Sequence, residues 1–197
     1  MSSKLTRIVG PNGEIITILP ITIKVDRYAN RFYAKDENSG RDYSISELEQ
    51  LANSGDPSAQ CAMGDYSGSE ERHADFREAF NWYQKAAAQN HAEALFNMGN
   101  FYAIGAGVVE KDFNKASALL EESAKYGFLD AMLHLGQVYM LNDVYDKAIY
   151  WLDKAVKLGH TEANAHLEGA KLLAKAADRN PNIKKKLGDI SNEFWDN

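Results

Sequence analysis

The spacing of hydrophobic residues changes near residue 45. Before this point, as over residues 21–25, apolar and polar residues alternate with a period of two, which is typical of a strand with one buried face. Turn-forming residues at 10–13 and 36–40 lie between such runs and indicate two hairpins. Residues 1–45 therefore predict a small antiparallel β-meander of about four strands, which packs against the C-terminal part of the chain because it buries little alone.

After residue 45 the apolar spacing becomes helical, and it repeats. An alanine four residues before an apolar residue and five before a glycine begins one motif at Ala59, Ala94 and Ala131. A second motif, in which a large residue follows an alanine at the third position, begins at Ala79, Ala116 and Ala148. The period is about 36 residues, which fits two helices and two turns, and stacked pairs of helices are needed to bury the apolar faces.

Small and polar residues predict how these helices pack and where they end. Glycine in the first helix of each pair lets the second helix approach closely, because no Cβ intervenes. Left-handed residues are expected to end the second helices at Asn90, Gly127 and Gly159. Asp112 and Asp143 are expected to cap second helices at their N-termini, and Ser46 with Glu49 forms a candidate capping box for the first helix of the chain.

The middle unit carries the fullest form of the motif, Ala94-x3-Met98-Gly99-x2-Tyr102-x2-Gly105-x-Gly107, followed by Asp112 and Ala116. This combination resembles the Sel1-like repeat, a TPR-like helical repeat. The resemblance covers about residues 57–160, with a degraded first unit and a short linker in the third. It implies a right-handed α/α solenoid of about three to four helix pairs.

The chain is therefore expected to be an α+β protein in three parts. The β-meander occupies residues 1–45, the Sel1-like array residues 46–178, and a C-terminal capping helix or tail residues 179–197. Because a solenoid needs both ends covered, the strand region and the tail are expected to cover opposite ends of the array.

Charge and composition narrow the possible partners. The chain has 22 basic and 28 acidic residues, and its net charge of −6 comes entirely from the part after residue 50. This balance disfavours nucleic-acid binding and favours a basic protein partner. No apolar run approaches the ~18 residues of a membrane span, and the N-terminus lacks the pattern of a secretory signal, so we expect a cytoplasmic protein without membrane association.

The residues that could carry chemistry do not form a catalytic constellation. His91 and His160 occupy one slot of the repeat, and His134 and His166 occupy another. Equivalent slots of stacked helices lie roughly 10 Å apart, too far to share a metal ion. His134 and His166 are interpreted either as groove contacts or as neutral surface residues. The single cysteine, Cys61, is interpreted as a buried structural residue.

The acidic stretch of Asp65, Glu70, Glu71 and Asp75 has two interpretations. It is either a solvated loop with a helix cap or a patch for a basic partner. We predict no metal ion, no cofactor and no enzymatic activity. An enzyme built on the strand region is disfavoured, because that region contains neither histidine nor cysteine.

The geometry of related helical repeats places the first helix of each pair on the inner wall of the solenoid. Positions three before, two before and one after the repeat glycine then face inward, and a mixed row of amide, imidazole and apolar groups suits a protein surface. The predicted protein-binding residues are Asp65, Phe96, Asn97, Asn100, Leu133, His134, Gln137 and His166.

The resemblance implies a non-catalytic scaffold or adaptor. Such a module binds a protein partner through its concave face and its N-terminal region. A more specialised alternative is a cytoplasmic immunity protein that binds and neutralises a bacterial toxin, whose capture the acidic surplus would accelerate.

Overall fold

The computed structural model describes residues 6–9, 15–18, 23–25, 34–36, 41–69 and 74–179. The chain forms two compact units, Met1–His91 (unit 1) and Ala92–Asn197 (unit 2). The described strands are β1 (Thr6–Val9), β2 (Ile15–Ile18), β3 (Ile23–Val25), β4 (Ala34–Asp36) and β5 (Asp42–Tyr43). The described helices are α1 (Ile45–Asn53), α2 (Pro57–Ser67), α3 (Phe76–Ala87), α4 (Ala92–Ile104), α5 (Phe113–Lys125), α6 (Leu129–Leu141), α7 (Tyr145–Lys157) and α8 (Ala163–Arg179).

Some predictions fall on residues that the structure does not describe. These are residues 180–197 of the predicted C-terminal cap and the acidic residues Glu70 and Glu71. The described residues confirm the predicted fold class, because small antiparallel sheets are followed by antiparallel pairs of helices.

The strands form two sheets. β1 pairs with β2 as the first predicted hairpin, with Thr6 opposite Ile18. β3, β4 and β5 form a second antiparallel sheet in that order. The second hairpin is shifted from its prediction: Asp36, expected in the turn, ends β4, because the ladder with β3 extends to the pairing of Asp36 with Ile23.

Unit 1 has a core that strands and helices share. Ala34 of β4 is buried in one cluster with Leu48 of α1, Met63 of α2 and Trp82 of α3. The side chain of Leu48 is fully buried. This shared core supplies the apolar contact that such short strands require for stability.

Glycine allows the two helices of each pair to come together. A Cβ placed at each of these glycines would overlap a large side chain of the paired helix: Gly64 against Tyr83, Gly99 against Leu120, and Gly136 against Leu152. At Gly99, for example, the added Cβ would lie 2.8 Å from Leu120 Cγ. The predicted role of these glycines is confirmed, since the second helix fills the space that a side chain would take.

The second helices end as predicted at all three C-termini and begin as predicted at one of the two N-terminal caps. The backbone is left-handed at Asn90 (φ 62°), Gly127 (φ 88°) and Gly159 (φ 95°). Asp112 caps α5, because its carboxylate accepts a hydrogen bond of 3.0 Å from the Lys115 amide.

Cys61 is buried within α2, as predicted.

Two predicted caps are wrong. Asp143 does not cap α7: it has a left-handed backbone, Val144 occupies the cap position, and the Asp143 carboxylate accepts a hydrogen bond from the Tyr145 hydroxyl instead. The capping box of α1 lies two residues earlier than predicted. Ser44 accepts from the Glu47 amide, and the Glu47 carboxylate accepts from the Ser44 amide at 2.9 Å.

The close approach of α6 and α7 gives a first prediction. Gly136→Ala places a Cβ against Leu152, and overpacking of this kind lowers the free energy of unfolding by about 1–3 kcal/mol. Gly169→Ala in α8 is the matched control, because its nearest neighbour, Met140 Cε, lies at an ordinary 3.8 Å. There the better helix propensity of alanine raises stability by about 0.5–1 kcal/mol. Urea denaturation followed by circular dichroism measures both changes, and equal effects would contradict the packing argument.

Candidate functional site

Side chains from successive first helices of unit 2 contact each other in amide–imidazole pairs. Asn100 Oδ1 on α4 lies 3.0 Å from His134 Nδ1 on α6, and Gln137 Nε2 on α6 lies 3.1 Å from His166 Nε2 on α8. We call Asn100, His134, Gln137 and His166 the polar row. In the assignment that satisfies both contacts, the His134 Nδ1–H donates to Asn100 and the His166 Nε2 accepts from Gln137.

An aromatic cluster borders one end of the polar row. Phe96 packs edge-on against His134, with ring centroids 4.7 Å apart, and lies at a tilt against Phe128, with ring centroids 5.0 Å apart. Burial lowers the pKa of His134 below the ordinary 6.5, and the nearby His160 and His166 lower it further, while Asp130 acts in the opposite direction. A neutral His134 is consistent with its hydrogen bond to an amide rather than to a carboxylate.

A groove of about 200 Å³ lies beside the polar row within unit 2. The end of α4, the linker 105–112, the start of α5 and the second half of α6 form its walls. The apolar lining residues are Ala103, Ile104, Phe113, Val138 and Leu141. The polar lining residues are Asn100, Lys111, His134, Gln137 and Asn142.

The linker 105–112 brings Lys111 to the groove. Gly105 has a left-handed backbone (φ 71°), and a Cβ there would also lie 3.1 Å from the Lys111 amide nitrogen. The Asp112 amide donates to the Tyr102 carbonyl at 2.9 Å, which returns the chain to the end of α4. Glycine at this position therefore fixes the path of the linker and the place of Lys111.

Five of the eight predicted binding residues lie at or beside the groove. Asn100, His134 and Gln137 line it, and Phe96 and His166 contact members of that set. These five side chains therefore lie close together in unit 2, and their role in binding stays a prediction.

The other three predicted binding residues do not line the groove. Leu133 is only 5% exposed and packs in the core of unit 2, so it offers no accessible surface. Asp65, in unit 1, accepts a hydrogen bond of 2.7 Å from the Tyr83 hydroxyl of the paired helix. Asn97 is half-buried, and its Nδ2 is a buried donor without a hydrogen-bond partner among the described residues.

The other described histidines tie the ends of helix pairs together. His91 Nε2 lies 3.3 Å from the Ser58 hydroxyl, and His160 Nε2 lies 3.1 Å from the Asp130 carboxylate. Ser58 and Asp130 are both the second residue of a first helix. The two histidines occupy the same position of the repeat and make equivalent contacts. Each contact joins the turn after the second helix to the start of the first helix of the same pair.

The inner-wall pattern missed the apolar side of the groove. Ile104 and Leu141 each lie one helical turn beyond a predicted residue, four positions after Asn100 and Gln137 respectively. Extension of the same helical stripe by one turn would have found them. Lys111 could not be found in this way, because the path of the linker brings it there.

Family comparison agrees with the repeat pattern. A family model described as Sel1 repeat matches residues 57–91, 92–128 and 124–160, which together exceed half of the chain. An uncharacterized protein of Neisseria meningitidis serogroup B is 31% identical over 106 residues, which cover 54% of this chain and 22% of that protein. The chain thus spans about a fifth of this relative's length.

Two solved structures resemble the chain. A crystal structure of a Sel1 repeat protein from Oxalobacter formigenes gives a TM-score of 0.52 at 29% identity, covering 64% of this chain and 97% of that one. A protective antigen of uropathogenic Escherichia coli strains, which displays an SLR fold, gives a TM-score of 0.57 at 26% identity, covering 77% of this chain and 32% of the antigen.

In the described part of the chain, no helix combines the length and apolarity that a membrane span requires.

The lowered pKa of His134 predicts a dependence of stability on pH. Below about pH 6.5 the unfolded chain binds more protons at this residue than the folded chain, so protonation favours unfolding. The contribution of His134 is complete above pH 6.5 and is lost as the pH falls from there through its lower folded-state pKa. His134→Gln removes this titration and flattens the decline of the urea midpoint between pH 7 and pH 5. NMR titration of the imidazole provides the direct check, and a pKa at or above 6.5 would contradict the assignment.

Proposed function

This chain belongs to the Sel1 repeat family, and we propose that it is a non-catalytic module that binds a protein partner through the groove and polar row of unit 2. Sel1 repeat proteins are generally protein-interaction scaffolds. The observation that carries the proposal is the groove itself, in which an apolar wall faces amide and imidazole groups. Protein interfaces combine an apolar centre with a polar rim in this way.

The polar row can hydrogen-bond to a bound chain. Among the described residues, Asn100 Nδ2, His134 Nε2 and Gln137 Oε1 have no hydrogen bond to protein, so one donor and two acceptors are available. Peptide groups present the complementary donors and acceptors in every residue. Because the amide and the imidazole of each pair already orient each other, these side chains lose little further conformational freedom on binding.

The imidazoles are arranged for recognition rather than for reaction. His134 pairs with Asn100, and His166 pairs with Gln137, so each ring is oriented by an amide. A general base that activates a nucleophile requires that nucleophile within hydrogen-bond reach and is commonly oriented by a carboxylate. We therefore assign both histidines to binding.

The class of partner distinguishes two forms of this proposal. An adaptor would bind an ordinary cellular protein, and an immunity protein would bind a toxin on the same surface. The net charge of −6 supports a partner that is basic overall, because long-range attraction accelerates association. Affinity capture with the full chain, followed by a toxicity assay of the captured protein, separates the two forms.

The polar row provides the test of the binding surface. Gln137→Ala with His166→Ala removes both members of one pair, so neither is left as an unsatisfied group. We expect the captured partner to bind about tenfold more weakly, equivalent to about 1.4 kcal/mol, by isothermal titration calorimetry.

The matched control is Glu168→Ala with Lys171→Ala, which removes an exposed ion pair on α8 that lies outside the groove. This control should bind the partner as the unaltered chain does. Equal affinity of the two double variants would show that the partner binds elsewhere.

A further inference from the structure

The groove of unit 2 has room for a single large side chain, and we propose that it takes an apolar side chain from an acidic segment of the protein partner, with Lys111 pairing to the neighbouring carboxylate. This inference rests on the proposed function and specifies the chemistry of the segment that docks. Size, apolar surface and charge each support it.

The size of the groove selects the kind of occupant. Sites for small molecules and cofactors commonly measure about 300–1,000 Å³. A cavity of about 150 Å³ is known to accommodate a benzene molecule. The groove, at about 200 Å³, therefore matches one aromatic or large aliphatic side chain.

The apolar surface of the groove is partly uncovered. Ile104 is 54% exposed at the groove, although it is a large aliphatic residue, and Phe113 and Leu141 beside it are half-buried. An inserted apolar side chain would cover this surface and remove it from water, which is the main source of affinity at the centre of an interface.

The charge at the groove is positive, in contrast to the chain as a whole. Lys111 is its charged lining residue, and its ammonium group has no ion-pair partner among the described residues. Of its acidic neighbours, Glu110 does not line the groove, and the Asp112 carboxylate binds the Lys115 amide and side chain instead. A carboxylate beside the inserted side chain would therefore find an unopposed cation.

Local and overall charge act at different distances. The net charge of −6 governs the approach of a whole partner, whereas Lys111 acts over the few ångströms of a docked contact. A partner that is basic overall can still present an acidic segment to the groove.

A charge-exchange experiment tests the inference with defined peptides. The probes are Ser-Glu-Leu-Glu-Ser and its analogues with two glutamines or two lysines in place of the glutamates, acetylated and amidated so that their ends carry no charge. Binding to the full chain is followed by ¹H–¹⁵N chemical-shift titration. We expect the glutamate peptide to bind about two- to fivefold more tightly than the glutamine peptide, and the lysine peptide to bind most weakly.

Two pairs of variants locate the effect. Lys111→Glu should reverse the order of the three peptides, while Lys125→Glu, the same charge change at the exposed end of α5 outside the groove, should leave it unchanged. Ile104→Ala should weaken all three peptides, while Leu172→Ala, which truncates an exposed leucine of α8, should weaken none.

The outcomes separate this inference from the proposed function. Equal affinities for the three peptides, an order that Lys111→Glu leaves unchanged, or no binding of the glutamate peptide would each overturn the inference. The binding module would still stand if the partner's affinity depended on Gln137 and His166. Conversely, a partner insensitive to those two residues would overturn the proposed function whatever the peptides do.

Discussion

The contact between a first-helix glycine and a large side chain of the second helix sets the geometry of each helix pair. Gly99 receives Leu120 and Gly136 receives Leu152, so the axes approach closely and the rotation of each first helix is fixed. That rotation determines where the next residue points. Asn100 and Gln137 directly follow these glycines, and both line the groove. The proposed binding surface is thus a consequence of how the pairs pack.

The same packing allows the polar row to lie outside the core, because other residues make the contacts between the helices. Small buried residues such as Ala116, Ala131 and Ala148 supply the contact between helices, and the core of unit 2 is closed behind the polar row. The amides and imidazoles consequently pair with one another across neighbouring first helices. Their mutual hydrogen bonds orient them without a contribution from loops, and sites built on rigid helices hold their geometry well.

Local chemistry made much of the fold predictable. Glycine positions, buried alanines and the left-handed ends at Asn90, Gly127 and Gly159 follow from sterics that act within a few residues. The errors arose where two local solutions compete. Ser44 and Ser46 both precede an acidic residue by three positions, and the first of them forms the box. Asp143 has a side chain suited to capping, but its backbone turns left-handed and Val144 takes the cap position. Lys111 and the groove depend on tertiary structure, which spacing alone does not encode.

Two described pairs of unit 2, α4 with α5 and α6 with α7, have linkers of different length. The linker 105–112 lines one side of the groove and carries Lys111, whereas only residues 142–144 connect α6 to α7. Because the helices already hold one another, insertions or exchanges in such a linker can arise by mutation without disturbing the framework. Recognition in this architecture is therefore able to diversify through evolution at a small cost in foldability, one linker at a time.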